Sequence, residues 1–517
     1  MNAQEHIRRI GARPGESREG LAAAHVPPEL LAGACAELAG GGLPLSLFFA
    51  TDDRGTDGTF GLHAVFALDE EHGWLMLSSA LPKDAPRYPA VTARVIAAHW
   101  YERYAMDMFG IIAEGHPDAR RLVHHENVPE GTHPLRKDFA WNAKLDHADV
   151  PYPMHHVKGE GVYEIPVGPI HAGVIEPGHF RFNVAGERII TLEGKLFFTH
   201  KGVEKLLEGK TPEEALPFIE RLSGDMSASN ALAFCQAVET IAGCKVPERA
   251  AALRSLLCEL ERMTMHIHDL ANIAGNGTGY TVMGAHGFRI KERLVRLSAR
   301  LLGNRFWRGA IVPGGMAENI GPDALADAAK TAKDAHREMR ALLDMCLSSD
   351  GERERLETTG LLSKQGALAF GALGVPARAS GIGRDTRITH PYAAYAEHQP
   401  ALVTETAGDV HARFMVRVRE LDESARLVAG LAAAAPAGPV RAACQAKDGF
   451  ALGAVESWRG ELLCALRLKD GRIDRCVPRD PSFCNWPLFG EIGPGNIVPD
   501  FPLCNKSLNL SYSGTDM

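Results

Sequence analysis

The sequence has ten cysteines and no C-x-x-C pair among them. They stand singly at 35, 235, 244, 258, 346, 444, 464, 476, 484 and 504. That spacing excludes a locally encoded iron–sulfur or zinc framework and reads as reduced, mostly buried thiols. No apolar run reaches about 18 residues, so no membrane-spanning helix is expected. The longest candidate, 427–440, is Ala-rich and broken by Pro436 and Pro439. The opening stretch MNAQEHIRRIGARPGE has no apolar core, so no secretory signal is expected. Positive charge is not in excess: 56 Lys plus Arg face 64 Asp plus Glu, for a net charge of -8. A phosphate-neutralising surface is therefore not expected, and nucleic acid is excluded as the main partner.

Generic catalytic motifs are also missing. There is no Walker A loop, and Ser223, Ser298 and Ser380 lack a nucleophile-elbow context. Gly275-Asn276-Gly277-Thr278-Gly279 follows a helix instead of a strand, which fits a helix-terminating turn and not a dinucleotide loop. Glu259, Glu261, His266 and His268 do not make the H-E-x-x-H zinc pattern and read as an ion-paired helix face. No internal repeat is visible.

What is present is a long polypeptide of ordinary globular balance, 517 residues with 45% hydrophobic and 23% charged, enough for two to four domains. Residues 1–140 mix strand-like runs (LPLSLFFATD, TFGLHAVFAL, GWLMLSSAL) with helical stretches. Residues 141–160 are polar and Pro-interrupted, as in a linker. Residues 161–517 open with alternating patterns at 162–200, then carry apolar residues at helical spacing in 247–272, 289–303, 322–348 and 407–435. Strands are expected at about 450–478, with a hairpin turn at Asp470-Gly471. The fold class is α+β: an α/β domain at 1–140 followed by a mostly helical domain with small β-sheets.

Two ordered series of motifs carry a resemblance. The first is His99-Trp100-Tyr101-Glu102-Arg103, Asp107-Met108-Phe109-Gly110, Gly115-His116-Pro117-Asp118, Arg120-Arg121 and Pro134-Leu135-Arg136-Lys137-Asp138-Phe139. It resembles the C-type subunit of respiratory complex I, with Tyr104 standing where that family has a second acid. The second runs from Val167-Gly168-Pro169-Ile170-His171 and Glu176-Pro177-Gly178-His179-Phe180 through Thr199-His200-Lys201-Gly202-Val203-Glu204-Lys205 and Ala377-Arg378-Ala379-Ser380-Gly381-Ile382. It ends at Glu456-Ser457-Trp458-Arg459-Gly460-Glu461 and Arg479-Asp480-Pro481-Ser482-Phe483. It resembles the D-type subunit of complex I and the homologous NiFe hydrogenase large subunit. Fusions of the two types occur in formate hydrogenlyase and hydrogenase-4, the membrane-bound NiFe hydrogenases. In the family the 99–139 series forms a docking face for partner subunits, and that role is expected here.

The resemblance also shows what has changed. NiFe hydrogenases bind their metals through soft thiolates of two C-x-x-C motifs. Here the matching positions are Ser223, Met226, Ser482 and Asn485, with Cys484 one place out of register. No NiFe centre is therefore expected, and no trimming of the 32 residues that follow Asn485. His171 matches a quinone-contacting His of complex I, while the family's quinone-contacting Tyr aligns with Gly224. Glu176 matches a hydrogenase Glu that hands protons from the metal, and Arg459 matches an Arg that overhangs it. The expected site gathers His171, Glu176, Arg459 and Asp480 as catalytic residues, with Ser223, Asp225 and Ser482 around a small redox partner, a quinone being the candidate. The alternative for Glu176 and Arg459 is a buried structural ion pair.

The resemblance implies a core subunit of a membrane-associated, complex I-like and NADH dehydrogenase-like oxidoreductase, peripheral on the cytoplasmic face of the cell membrane. It would receive electrons from a 4Fe–4S cluster in a small iron–sulfur subunit and stand on membrane proton- or ion-translocating subunits. The rival reading is a non-catalytic scaffold derived from a hydrogenase large subunit.

Overall fold

The computed structural model describes residues 1–171 and 175–517. The first part is built on a five-stranded sheet in the order Arg13–Pro14, Leu21–His25, Gly73–Pro82, Thr59–Leu68, Leu45–Asp53. Within it, only Leu21–His25 and Gly73–Pro82 pair in parallel. The three long strands are the three apolar runs of the sequence. Both faces are covered, which is why they read as near-continuous hydrophobic stretches rather than alternating ones. Helices Pro28–Gly40 and His99–Phe109 pack beside this sheet.

The helix His99–Phe109 takes the first stretch of the 99–139 series into the interior. Trp100, Tyr101, Glu102, Arg103 and Tyr104 are all buried. Glu102 accepts the Tyr88 hydroxyl and the N–H groups of Val91 and Thr92 at 2.7, 2.7 and 2.9 Å. Asp107 accepts the N–H groups of Leu122, Val123 and His124 at 2.8, 2.8 and 3.1 Å. Trp100, Tyr101 and Tyr104 surround Phe483 of the second part, and the Tyr104 hydroxyl donates to Glu204. Trp100, Tyr101 and Tyr104 thus join the two parts of the protein, while Glu102 and Asp107 brace the first part from within.

Between the parts, residues 141–160 contain no helix or strand. A three-stranded antiparallel sheet follows, Val162–Val167, His179–Ala185 and Arg188–Lys195. Four long helices then form a bundle: Glu248–Asn272, Thr281–Leu302, Pro322–Leu347 and Val410–Ala434. The second begins eight residues before its apolar stripe at 289, because Gly284 and Gly287 let its first turns lie against the preceding helix. A Cβ at Gly275 would come within 2.6 Å of Gly284 Cα, so the glycine-rich stretch serves close packing at the end of a helix. Gly279, at φ +89°, completes that turn.

Helix Ser227–Ala242 is not marked by a pattern in the sequence. It is buried nearly all round, so no polar stripe sets a period. It lies on the sheet Gly449–Ser457, Gly460–Lys469, Arg472–Arg479, whose second hairpin turns at Asp470-Gly471 as expected. A Cβ at Gly453 would sit 1.8 Å from the Ala233 carbonyl oxygen, so this helix–sheet contact requires glycine.

The helical core holds charge. Arg262, Arg378, Arg387, Arg413 and Arg417 are among the largest fully buried side chains. Arg378 pairs with Glu420 and Glu456, both at 2.7 Å. Arg387 pairs with Asp385 at 2.6 Å and Glu259 at 2.9 Å, and Arg417 with Asp269 at 2.8 Å. His266 Nε2 lies 2.8 Å from Glu420. The Glu259–His266 face is thus ion-paired as read, but inside the bundle instead of on its surface.

Candidate functional site

Five of the seven expected site residues meet at one place. The hairpin between Gly449–Ser457 and Gly460–Lys469 projects Arg459, and the turn before helix Ser227–Ala242 supplies Ser223 and Asp225. Arg459 donates to both Asp225 oxygens at 2.8 Å and to the Asn509 carbonyl at 2.7 Å. Its guanidinium lies 3.9 Å from the Trp458 ring centroid, and Trp458 Nε1 donates to the Asp225 carbonyl at 3.0 Å. Burial works to raise the Asp225 carboxyl, but the Arg459 charge prevails and holds it below the usual range.

Ser223 Oγ donates to Asp225 at 2.8 Å and lies 2.9 Å from Ser511 Oγ. Ser511 N–H donates to Ser482 Oγ at 2.9 Å. Ser482 N–H in turn donates to Asp480 at 2.8 Å, capping helix Pro481–Asn485. The second Asp480 oxygen is buried without a partner, and burial pushes this carboxyl up. Residue 514 passes so close that a Cβ there would lie 2.1 Å from that oxygen; only glycine fits. The segment 509–517 is thus threaded between the two stretches that the family uses for metal binding. Sequence reasoning misses Ser511, Asn509 and Gly514 as site residues, since only folding brings them here.

His171 and Glu176 do not join this group. His171 Nε2 meets the Gly178 carbonyl at 2.8 Å. Glu176 is exposed and accepts the Ser513 N–H at 3.2 Å. The expected single cavity with Arg459 is not formed, and the alternative Glu176–Arg459 pair is not formed either; Asp225 is the partner of Arg459.

An open cleft of about 1020 Å³ lies beside this hydrogen-bonded knot of Arg459, Asp225, Ser223, Ser511 and Ser482, lined by Gly224, Asp225, Glu261, His268, Phe288, Lys291 and Phe306. Lys291 Nζ is 3.2 Å from His268 Nδ1. Burial lowers both groups, His268 to about 3. Glu261 accepts the N–H groups of Ala228 and Ser229 at 2.8 and 3.2 Å and the Ser229 hydroxyl at 2.5 Å. Burial outweighs these bonds and pushes Glu261 up to about 7.

Known proteins share this architecture. Residues 24–145 match the family model of the respiratory-chain NADH dehydrogenase 30 Kd subunit, and 277–447 that of the 49 Kd subunit. Residues 201–271 match the nickel-dependent hydrogenase model. Hydrogenase-4 component G of Escherichia coli is 32% identical over 91% of this sequence and 83% of that protein. The chain belongs to this family of fused 30 Kd/49 Kd-type large subunits. Formate hydrogenlyase subunit 5 of Escherichia coli is also 32% identical, over 91% of the present sequence and 84% of its own length. The C/D fusion protein of NADH-quinone oxidoreductase from Bacteroides fragilis is 28% identical over 73% and 75%.

Within the family, the residues present do not fit a nickel–iron group. Ser223 and Ser482 are tied through Ser511. Asn485 is engaged with the Leu373 backbone, donating at 3.1 Å and accepting at 2.9 Å. Met226 is fully buried in the core. Cys484 faces away, 3.2 Å from the Tyr101 hydroxyl, and burial raises its thiol. None of these neutral groups offers thiolate charge to a metal.

Two outcomes follow. Arg459→Leu leaves Asp225 without its counter-charge and costs about 3 kcal/mol; adding Asp225→Asn restores much of it. Denaturant midpoints of the single and double variants check this. Glu261 ionises at 4.5 when unfolded and at about 7 when folded. Its contribution is therefore complete below pH 4.5 and is lost as pH rises to about 7. Stability of Glu261→Gln should gain on the parent across that window, by up to about 3 kcal/mol.

Proposed function

We infer that this protein is the large subunit of a membrane-associated, hydrogenase-4-like or complex I-like oxidoreductase that works without a nickel–iron centre of its own. The observation that carries this reading is the Ser223–Ser511–Ser482 series of hydrogen bonds. It closes the metal position with neutral groups while the rest of the family architecture is retained. Among the described residues no helix is long and apolar enough to cross a membrane. Attachment to a membrane would then run through other subunits, among them ion-translocating ones. Electrons would come from a 4Fe–4S cluster in a small iron–sulfur partner.

A quinone head group is the candidate acceptor, and the cleft at Gly224 suits it better than the His171 loop. Lys291 offers a donor to a quinone oxygen, and Phe288 and Phe306 offer flat apolar walls. Quinone reduction takes up two electrons and two protons. Glu261, held near neutrality by burial, is placed to exchange a proton at the cleft wall. The scaffold reading has its own support: Ser223, Ser511 and Ser482 satisfy one another by hydrogen bonds.

The complex isolated from native membranes through this protein should contain no nickel at its stoichiometry and evolve no hydrogen. One nickel per large subunit, surviving chelation, overturns the reading of the knot. Lys291→Met, a change at a cleft wall with no carboxylate partner, should lower quinone turnover at least about tenfold, roughly the loss of one charge-assisted hydrogen bond, with an unchanged melting temperature. Full turnover in that variant removes the cleft from catalysis, and absence of quinone turnover in the parent complex favours the scaffold.

A further inference from the structure

A separate cleft of about 820 Å³ lies where the first part, the 141–160 segment and the second part meet. One wall is aromatic, formed by Phe180, Trp486 and Phe489. The other is charged. Asp118 takes Arg103 at 3.2 Å and Arg120 at 2.7 Å, and Arg120 also reaches Glu193. Arg103 donates its remaining N–H groups to the carbonyls of Arg120 and Arg121 at 2.8 and 2.9 Å.

Lys195 is the exception to this balance. The residue is 4% exposed. Its ammonium sits 3.8 Å from the Tyr152 ring centroid and 3.4 Å from the His124 carbonyl oxygen, with no carboxylate in ion-pair contact among the described residues. Asp107 and Glu126 act on it only from a distance. Asp107 accepts three backbone N–H groups, and Glu126 lies by His125. Burial, the largest influence, brings the amine down to about 8. It therefore remains charged at neutral pH with donors unfilled, a costly state in an interior unless an anion completes it.

We propose that this cleft binds a small organic acid, its carboxylate on the Lys195 ammonium and its apolar body against Trp486 and Phe489. The site is independent of the electron-transfer reading. It uses the charge that neither arginine needs and an aromatic wall that belongs to a different element.

The test is benzoate binding by the full-length protein, against sodium chloride at equal ionic strength. Benzoate should raise the melting temperature in a saturable manner, by about 2 °C, and quench tryptophan emission. Lys195→Met should abolish both responses while melting at or above the parent temperature, because the uncompensated buried charge is gone. A Cβ at Gly490, on the cleft rim, meets nothing within 4 Å. Gly490→Leu should therefore fold normally and weaken benzoate binding by narrowing the mouth. A parent protein that ignores benzoate overturns the proposal. So does a benzoate response unchanged in Lys195→Met, or, if that variant does not fold, unchanged in Gly490→Leu.

Discussion

An arginine cannot discard its charge at any physiological pH, so every guanidinium carried into an interior dictates what must surround it. Five in the helical core are among the most completely buried side chains of the protein. Arg378, Arg387 and Arg417 are met by carboxylates from the helices Glu248–Asn272 and Val410–Ala434, the Asp385 turn and the strand Gly449–Ser457. Arg262 is met by the carbonyls of Glu456 and Ser457 at 2.6 and 2.9 Å. Arg413 is met by the carbonyls of Gly408 and Gly360 and the Ser507 hydroxyl. These demands fix how the hairpin sits on the bundle. Arg459, at the hairpin's turn, inherits its position from them.

The charge at the site follows the same logic. Four thiolates would bring four negative charges that only a metal assembly can neutralise. Serine, methionine and asparagine bring none, and one carboxylate, Asp225, suffices to answer Arg459. The hydroxyls of Ser223, Ser482 and Ser511 are bonded to one another or to the adjoining backbone, which removes most of the penalty of burying them.

Legibility in the sequence tracked locality. Helices Thr281–Leu302, Pro322–Leu347 and Val410–Ala434 showed their period because one stripe of each faces the core; Glu248–Asn272 showed it although nearly all of it is buried, because charged residues interrupt its apolar ones, and the hairpin at Asp470-Gly471 showed its turn chemistry. Helix Ser227–Ala242 did not, since burial on all sides removes the contrast on which a period depends. At the site, the loss of the cysteines and the placing of Ser223, Asp225, Ser482 and Arg459 could be read from order along the sequence. Ser511 could not, because nothing near it in sequence marks a hydroxyl destined for a residue 288 positions away. The aromatic and charged series at 99–109 was legible as a motif but not as to its facing, which depends on Phe483 filling the space beside it.

That 288-residue separation also has a temporal side. A ribosome adding about 5–20 residues per second needs roughly 15–60 s to travel from Ser223 to Ser511. During that interval the turn holding Ser223 and Asp225 exists without the segment that completes it. Arg459 emerges before Ser511, so the ion pair can form while the serine bridge waits. The nascent polypeptide thus passes through a stage in which the turn at Ser223 is open to water, and it closes only when the 509–517 segment threads home.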